Sequence, residues 1–281
     1  MKSSQFPLSL GNGFVLVLSG GAARGMAHLG FLKAFEETEL PVRAIVGTSA
    51  GAIAGSLFAS PECTIERVQK RILNLKTREM FRFGWSRMGI FDSGNTMKLL
   101  HDLIGPETAF KDLRYPLVAT ATSLTTKTLA LLESGNVGTA VTASSALPPF
   151  FTPVLRNGES FVDGGILSIL PVMAARSRYP GIPTVSVNVN EFHDFQCIPD
   201  PYPGALALPS GDGPISGNWL TLTLRLYSLG LYRMLQIESS FSDWYIGISG
   251  GRFSMSSTSC LDKLFQLGYD AGRVFVRYFN S

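Results

Sequence analysis

Val42-Arg43-Ala44-Ile45-Val46-Gly47-Thr48-Ser49-Ala50-Gly51-Ala52-Ile53-Ala54-Gly55-Ser56-Leu57 passes from an apolar run through a turn of small residues into a second stretch of small residues. The pattern predicts a strand, a tight turn and a helix, with Ser49 at the apex. Gly47 and Gly51, two positions to either side, let the two arms pass closely and tolerate a turn that lifts the hydroxyl out of the sheet. A serine so placed can attack a carbonyl carbon. G-x-S-x-G alone decides little in a chain with 29 glycines. The strand before it and the helix after it give it weight.

Outward from this stretch, strands and helices alternate. Phe14-Val15-Leu16-Val17-Leu18 is a continuous apolar run of the kind a buried parallel strand shows, and it ends in Ser19-Gly20-Gly21. From 24 to 37, Met26, Leu29, Leu32 and Phe35 recur at helical spacing. A further helix is expected near 65–75, and strands at Leu117-Val118-Ala119-Thr120-Ala121-Thr122 and at 183–189. The succession predicts an α/β fold: three layers, helix on sheet on helix, around a mainly parallel central sheet. Two stretches interrupt it. One, 78–91, mixes Arg78, Arg82 and Arg87 with Phe81, Phe83, Trp85 and Phe91; the other, 198–217, is rich in Pro and Gly.

Composition bounds the function. At 281 residues, one domain built around one sheet is the default. Hydrophobic residues make up 45% and charged residues 16%, with a mean hydropathy of +0.20, which points to lipid contact or a buried interface. No segment reaches the roughly 18 uninterrupted apolar residues of a membrane span. The longest candidate, 44–59, is broken by glycines and hydroxyls. Residues 1–12 carry one Lys and no apolar h-region, so a secretory signal is not expected there. Cys63, Cys197 and Cys260 are widely spaced and odd in number, which fits neither a disulfide framework nor a metal knuckle. A cytoplasmic setting, with peripheral membrane contact open, is the expectation. A net charge of +3 argues against nucleic acid, while mildly favouring an anionic membrane surface.

The turn after the first strand, Gly20-Gly21-Ala22-Ala23-Arg24-Gly25, directs its N–H groups and the positive end of a helix at one point. A dinucleotide pyrophosphate would want an acidic residue ending the next strand, and that strand runs into Gly47-Thr48-Ser49 instead. The other anion that fits is the oxyanion formed when a serine attacks an ester. Arg24 stands as a nearby cation or braces the loop.

A serine needs a base. Of the three histidines, His28 lies in the helix after the Gly-rich turn, His101 beside Asp102, and His193 after the strand at 183–189. The order Ser49, Asp163, His193 would match an α/β-hydrolase triad. Asp163 ends the apolar run Phe161-Val162 and is followed by Gly164-Gly165; the plain alternative is a β-turn aspartate.

Together these blocks resemble the patatin-like phospholipases. Leu18-Ser19-Gly20-Gly21-Ala22-Ala23-Arg24-Gly25 is similar to that family's oxyanion loop, and Gly47-Thr48-Ser49-Ala50-Gly51 to its nucleophile elbow. Ala143-Ser144-Ser145-Ala146-Leu147-Pro148-Pro149-Phe150-Phe151 resembles its small-residue and proline segment, and Asp163-Gly164-Gly165 its Asp-Gly-Gly. The resemblance covers about 14–189, leaving 190–281 for C-terminal helices and a candidate lid or cap. It implies a Ser49–Asp163 dyad without histidine, amides of Gly20, Gly21 and Ala22 as the oxyanion hole, and hydrolysis of phospholipid or related esters. It implies no cofactor and no metal. One departure stands out: the family commonly has a third glycine where this chain has Ala22. If that position requires φ > 0, alanine costs about 1 kcal/mol or more. Asp163 must also be desolvated, or act mainly by orienting Ser49, because a carboxylate near pKa ~3.9 is a weak base.

Substrate class rests on less. The stretch 78–91 reads either as a core-facing helix with solvated arginines or as a membrane-interface anchor, and 219–232 as an acyl-channel lining or as packing on the sheet. A non-lipid esterase or thioesterase, and a lipid-binding regulator weakened at Ala22, are the alternatives to a lipid acyl hydrolase.

Overall fold

A computed structural model of the chain describes residues 10–73, 83–86, 89–91, 94–191, 196–198, 219–250 and 260–280. The first half contains β1 (Phe14–Leu18), α1 (Met26–Glu36), β2 (Val42–Thr48), α2 (Ala50–Ala59), α3 (Ile65–Leu73), β3 (Phe83–Ser86), β4 (Gly89–Phe91), α4 (Gly94–Ile104), β5 (Leu117–Ser123) and β6 (Leu129–Leu132). The second half contains α5 (Val137–Ser144), β7 (Val154–Arg156), β8 (Glu159–Asp163), α6 (Val172–Arg178), β9 (Thr184–Asn188), β10 (Gln196–Ile198), α7 (Trp219–Ser239), β11 (Trp244–Gly247) and α8 (Leu261–Phe279).

All five residues of β1 are buried because the strand has a core on each side. Phe14, Leu16 and Leu18 enter one core, Val15 and Val17 the other. That is why the sequence run is continuously apolar rather than alternating. Helices α1 to α5 and α8 supply the first core, and α6 and α7 the second, which gives the three layers. Phe275 of α8 ties the first core together: it stacks on Phe35 at 5.7 Å and meets Phe14 edge-on at 6.0 Å. Such a fully buried ring contributes about 1.5–3 kcal/mol by burial.

Among the described residues the main sheet runs β10-β11-β9-β1-β2-β5-β8-β7, with β6 also paired to β5. The five central strands β11, β9, β1, β2 and β5 are parallel. The others join antiparallel. One register places the site. Leu117 to Thr120 of β5 pair with Ile45 to Thr48 of β2, and the next residues, Ala121 to Ser123, pair with Asp163 to Phe161 of β8. The opposite edge of β5 is taken by β6. Strands β2 and β8 therefore lie end to end along one edge of β5, running toward each other, and their C-terminal ends meet.

Two expectations change. Where a helix was one reading of 78–91, the described part is the antiparallel ribbon β3–β4, with Phe83 opposite Phe91. Short aromatic runs around Gly84 and Gly89 suit strands better than a helix. The arginines of that stretch lie outside the described residues, as do 199–217. The described part of 190–281 supplies helices α7 and α8 and also strands β10 and β11. Trp244 to Gly247 extend the sheet by pairing with Val185 to Asn188 of β9. None of the described helices is long and apolar enough to cross a membrane.

Candidate active site

Ser49 stands between β2 and α2 with φ 52 and ψ −118, a conformation that L-residues avoid. Such strain persists only where the surroundings enforce it. Three contacts do so. The Ser49 N–H donates to Ser144 Oγ at 2.9 Å, from the end of α5. The carbonyl of Ser49 accepts the Ile53 N–H at 3.0 Å, starting α2. Gly51 presses the first turn of α2 against the end of β1, where any Cβ would collide with the backbone of Leu18 and Ser19. The predicted strand, turn and helix are all present.

Asp163 reaches the same point from β8. Its N–H donates to Ala146 O at 3.0 Å and its carbonyl accepts from Thr122 Oγ1 at 2.9 Å, so both chain neighbours hold the strand end. The following turn passes against β5 at Gly164, where a Cβ would collide with the Thr120 carbonyl. Just beyond, the Gly165 N–H donates to Asp163 Oδ1 at 2.7 Å. The Ser49 side chain lies close enough to act on the same carboxyl group. Asp163 is 3% exposed, and burial raises its pKa to about 6, against the lowering effect of the Ser49 and Gly165 donors. The burial that desolvates this carboxyl group is thus built into the strand end.

Thr48 and Thr120 lock the junction. Their hydroxyls are 2.7 Å apart, and Thr48 Oγ1 donates to Ser168 O at 2.9 Å.

The Gly-rich loop closes the site from β1. The Gly20 N–H donates to Ile169 O at 2.7 Å, so it is committed to the fold and not available to an oxyanion. Of the expected donors Gly20, Gly21 and Ala22, the last two have N–H groups without a partner among the described residues. Ala22 sits at φ 49. The position therefore does lie in the left-handed region that favours glycine.

Arg24 is buried at 9% exposure, and its Nη1 donates to Asn190 Oδ1 at 3.1 Å. It also hydrogen-bonds the Tyr232 side chain, while burial lowers its pKa. Asn190 in turn donates through Nδ2 to Gly20 O at 2.8 Å. Arg24 thus braces the loop through Asn190 and is a paired cation.

The histidines fall elsewhere. His28 is fully buried in α1, with Nε2 at 2.8 Å from Ser19 O, and burial lowers its pKa to about 4. Its Nδ1 has no partner among the described residues. His101 on α4 lies against Gly138 of α5. His193 lies outside the described residues.

Five contributors were not singled out from the sequence. Ser144 belongs to a quoted motif block, but its bond to the Ser49 amide depends on where α5 ends. Asn190 follows a buried strand and carries no local signal. Tyr232 and Tyr227 project from α7; Tyr227 is close enough to Asp163 that the carboxylate, after the larger effect of burial, raises its phenol pKa. Glu238 anchors the same helix by accepting from Ser168 Oγ at 2.6 Å and from Met173 N at 2.8 Å. Among the described residues, no cluster of metal-ligating side chains occurs.

Known proteins share these features. The fold is similar to VipD from Legionella pneumophila, with a TM-score of 0.57 over 95% of this chain and 67% of that one, at 14% identity. In sequence, the chain is 27% identical to patatin-like phospholipase domain-containing protein 6 of Mus musculus, over 94% of this chain and 20% of that protein. It is 31% identical to neuropathy target esterase sws of Drosophila melanogaster, over 57% of this chain and 12% of that one. The chain therefore spans about a fifth or less of the curated relatives it matches. Residues 16–176, more than half of its length, match the family model described as patatin-like phospholipase, and the chain belongs to that family.

Proposed function

We propose that the chain is a serine lipid acyl hydrolase that cleaves carboxylic ester bonds of phospholipids or related lipids. The observation that carries this reading is the end-to-end meeting of β2 and β8, which sets the strained Ser49 close enough to the buried Asp163 carboxyl group to offset part of the effect of burial on its pKa. Ser49 Oγ attacks the acyl carbonyl carbon as its proton passes to Asp163. The carbonyl π pair moves to oxygen, and that oxyanion accepts from the Gly21 and Ala22 amides; one such donor is worth about 10²–10³ in kcat. On collapse the bond to the alcohol oxygen breaks, and Asp163 returns its proton to the departing alcohol. Water then attacks the acyl-Ser49 ester, giving a proton to Asp163 and, after collapse, free acid and a reprotonated Ser49. No histidine is needed, because a carboxylate with a pKa of about 6 is a stronger base than a solvated aspartate.

Lipid as the substrate class rests on the family and on α7. Leu222, Leu226 and Leu229 recur along one stripe of this helix and are 43%, 59% and 47% exposed, while its Tyr227 lies near enough to Asp163 to feel its charge. A stripe of that kind beside the site suits peripheral contact with a lipid surface.

A fluorophosphonate probe is expected to label the wild type and not Ser49→Ala. Asp163→Asn is expected to lower esterase kcat/KM at least 10³-fold. Wild-type kcat/KM should rise with pH through about 6, as Asp163 ionises, and then level off. Labelling that survives Ser49→Ala, or full turnover in Asp163→Asn, would sink the assignment. A panel of phospholipids, lysophospholipids, glycerides and short p-nitrophenyl esters reads the substrate class.

A further inference from the structure

A cavity of about 130 Å³ opens between the first turns of α1 and α2. Its walls are almost entirely apolar. Of its lining residues, Met26, Leu29 and Ala54 are buried, and Ile53, Ile72 and Leu99 are half-buried. Its near end is set by two residues of the site itself: exposed Ala22, the last amide of the loop, and Ala50, the neighbour of Ser49. Ile53 lies in the first turn of α2, and its N–H donates to the Ser49 carbonyl at 3.0 Å, so this lining residue is tied to the backbone of the nucleophile candidate.

A cavity whose walls are almost entirely apolar offers water few hydrogen-bond partners and favours a hydrocarbon guest. One of this order holds a ligand of about six carbons, the size of benzene. A carbonyl carbon bound at Ser49, with its oxygen toward the Gly21 and Ala22 amides, would have this cavity beside it.

We propose that this cavity is the acyl-chain subsite, that it takes about the first six carbons of the chain being cleaved, and that Ile53 sets the chain-length preference. The proposal rests on the hydrolase reading of Ser49 above. Each methylene that leaves water is worth about a factor of four in binding. Displacing two of them from the cavity therefore shifts relative rates by more than tenfold.

The test compares kcat/KM for p-nitrophenyl octanoate and acetate in wild type, Ile53→Phe and Ile53→Ala, with fluorophosphonate labelling of Ser49 and melting temperature recorded for each. The octanoate-to-acetate ratio is expected to exceed ten in the wild type, to fall at least tenfold in Ile53→Phe and to shift toward longer chains, decanoate against octanoate, in Ile53→Ala. If both esters fall by one common factor in Ile53→Phe, or if that variant gains melting temperature with the ratio unchanged, the cavity is a packing void and the proposal fails while the hydrolase reading stands. A wild type with neither turnover nor labelling overturns the hydrolase reading, and this one with it.

Discussion

Ala22 occupies a backbone conformation at φ 49 that costs an L-residue about 1–2 kcal/mol. Glycine there would relieve that cost but give up roughly 0.4–1 kcal/mol of unfolded-state restriction. Ala22→Gly is thus expected to stabilise by about 0.5 kcal/mol, and Ala22→Val, β-branched in the same position, to destabilise by more than about 2 kcal/mol and to lower kcat; denaturant titration and steady-state assays read both. A destabilised Ala22→Gly would mean that the loop does not hold this conformation in solution. Ser49 and Asp163 were legible in the sequence because each ends an apolar run and is flanked by glycines, a local signal. The commitment of the Gly20 amide to Ile169 was not, because the partner is fixed only when the segment after Gly165 folds back across the sheet. Asn190 is invisible for the same reason: its two hydrogen bonds to the loop, one to Gly20 and one from Arg24, span more than 160 residues of chain.

Helix α7 shows how one element serves the site on one side and solvent on the other. Glu238 ties its last turn to Ser168 and Met173, Tyr232 holds Arg24, and Tyr227 lies within the electrostatic reach of Asp163, while Leu222, Leu226 and Leu229 are exposed. Leu226→Glu with Leu229→Glu is expected to weaken binding to anionic phospholipid vesicles at least tenfold while leaving melting temperature within a few degrees, since neither leucine is in a core. Unchanged vesicle binding would remove α7 from the membrane-facing surface. The long parallel strands and the helices between them could be read from periodicity. The β3–β4 ribbon and the β10 and β11 strands could not, since runs of three or four residues carry too little pattern to separate strand from helix.

At the scale of the whole molecule, two buried titratable groups pull stability in opposite directions. Asp163, raised from 3.8 to about 6, stabilises fully below pH 3.8, and that contribution is lost as pH rises through about 6. His28, lowered from 6.5 to about 4, stabilises above pH 6.5, and that contribution is lost as pH falls through about 4. Each is of order 3 kcal/mol at full extent, with equal and opposite slopes between about pH 4 and 6. These two groups together should leave the wild type's unfolding free energy nearly flat across that window. His28→Gln should lose stability as pH rises, and Asp163→Asn should gain it; urea titrations at pH 4.5 and 6 measure the difference, and identical slopes in all three proteins would refute it. The end-to-end arrangement of β2 and β8 carries a kinetic corollary. Their meeting ends belong to residues more than a hundred positions apart and share β5 as the strand both pair with, so two non-local pairings must both close before a nucleophile faces its base. During refolding, helix content can return early, but ester turnover has to wait for the later of the two closures, which makes the chain's own activity a clock for completion of its sheet.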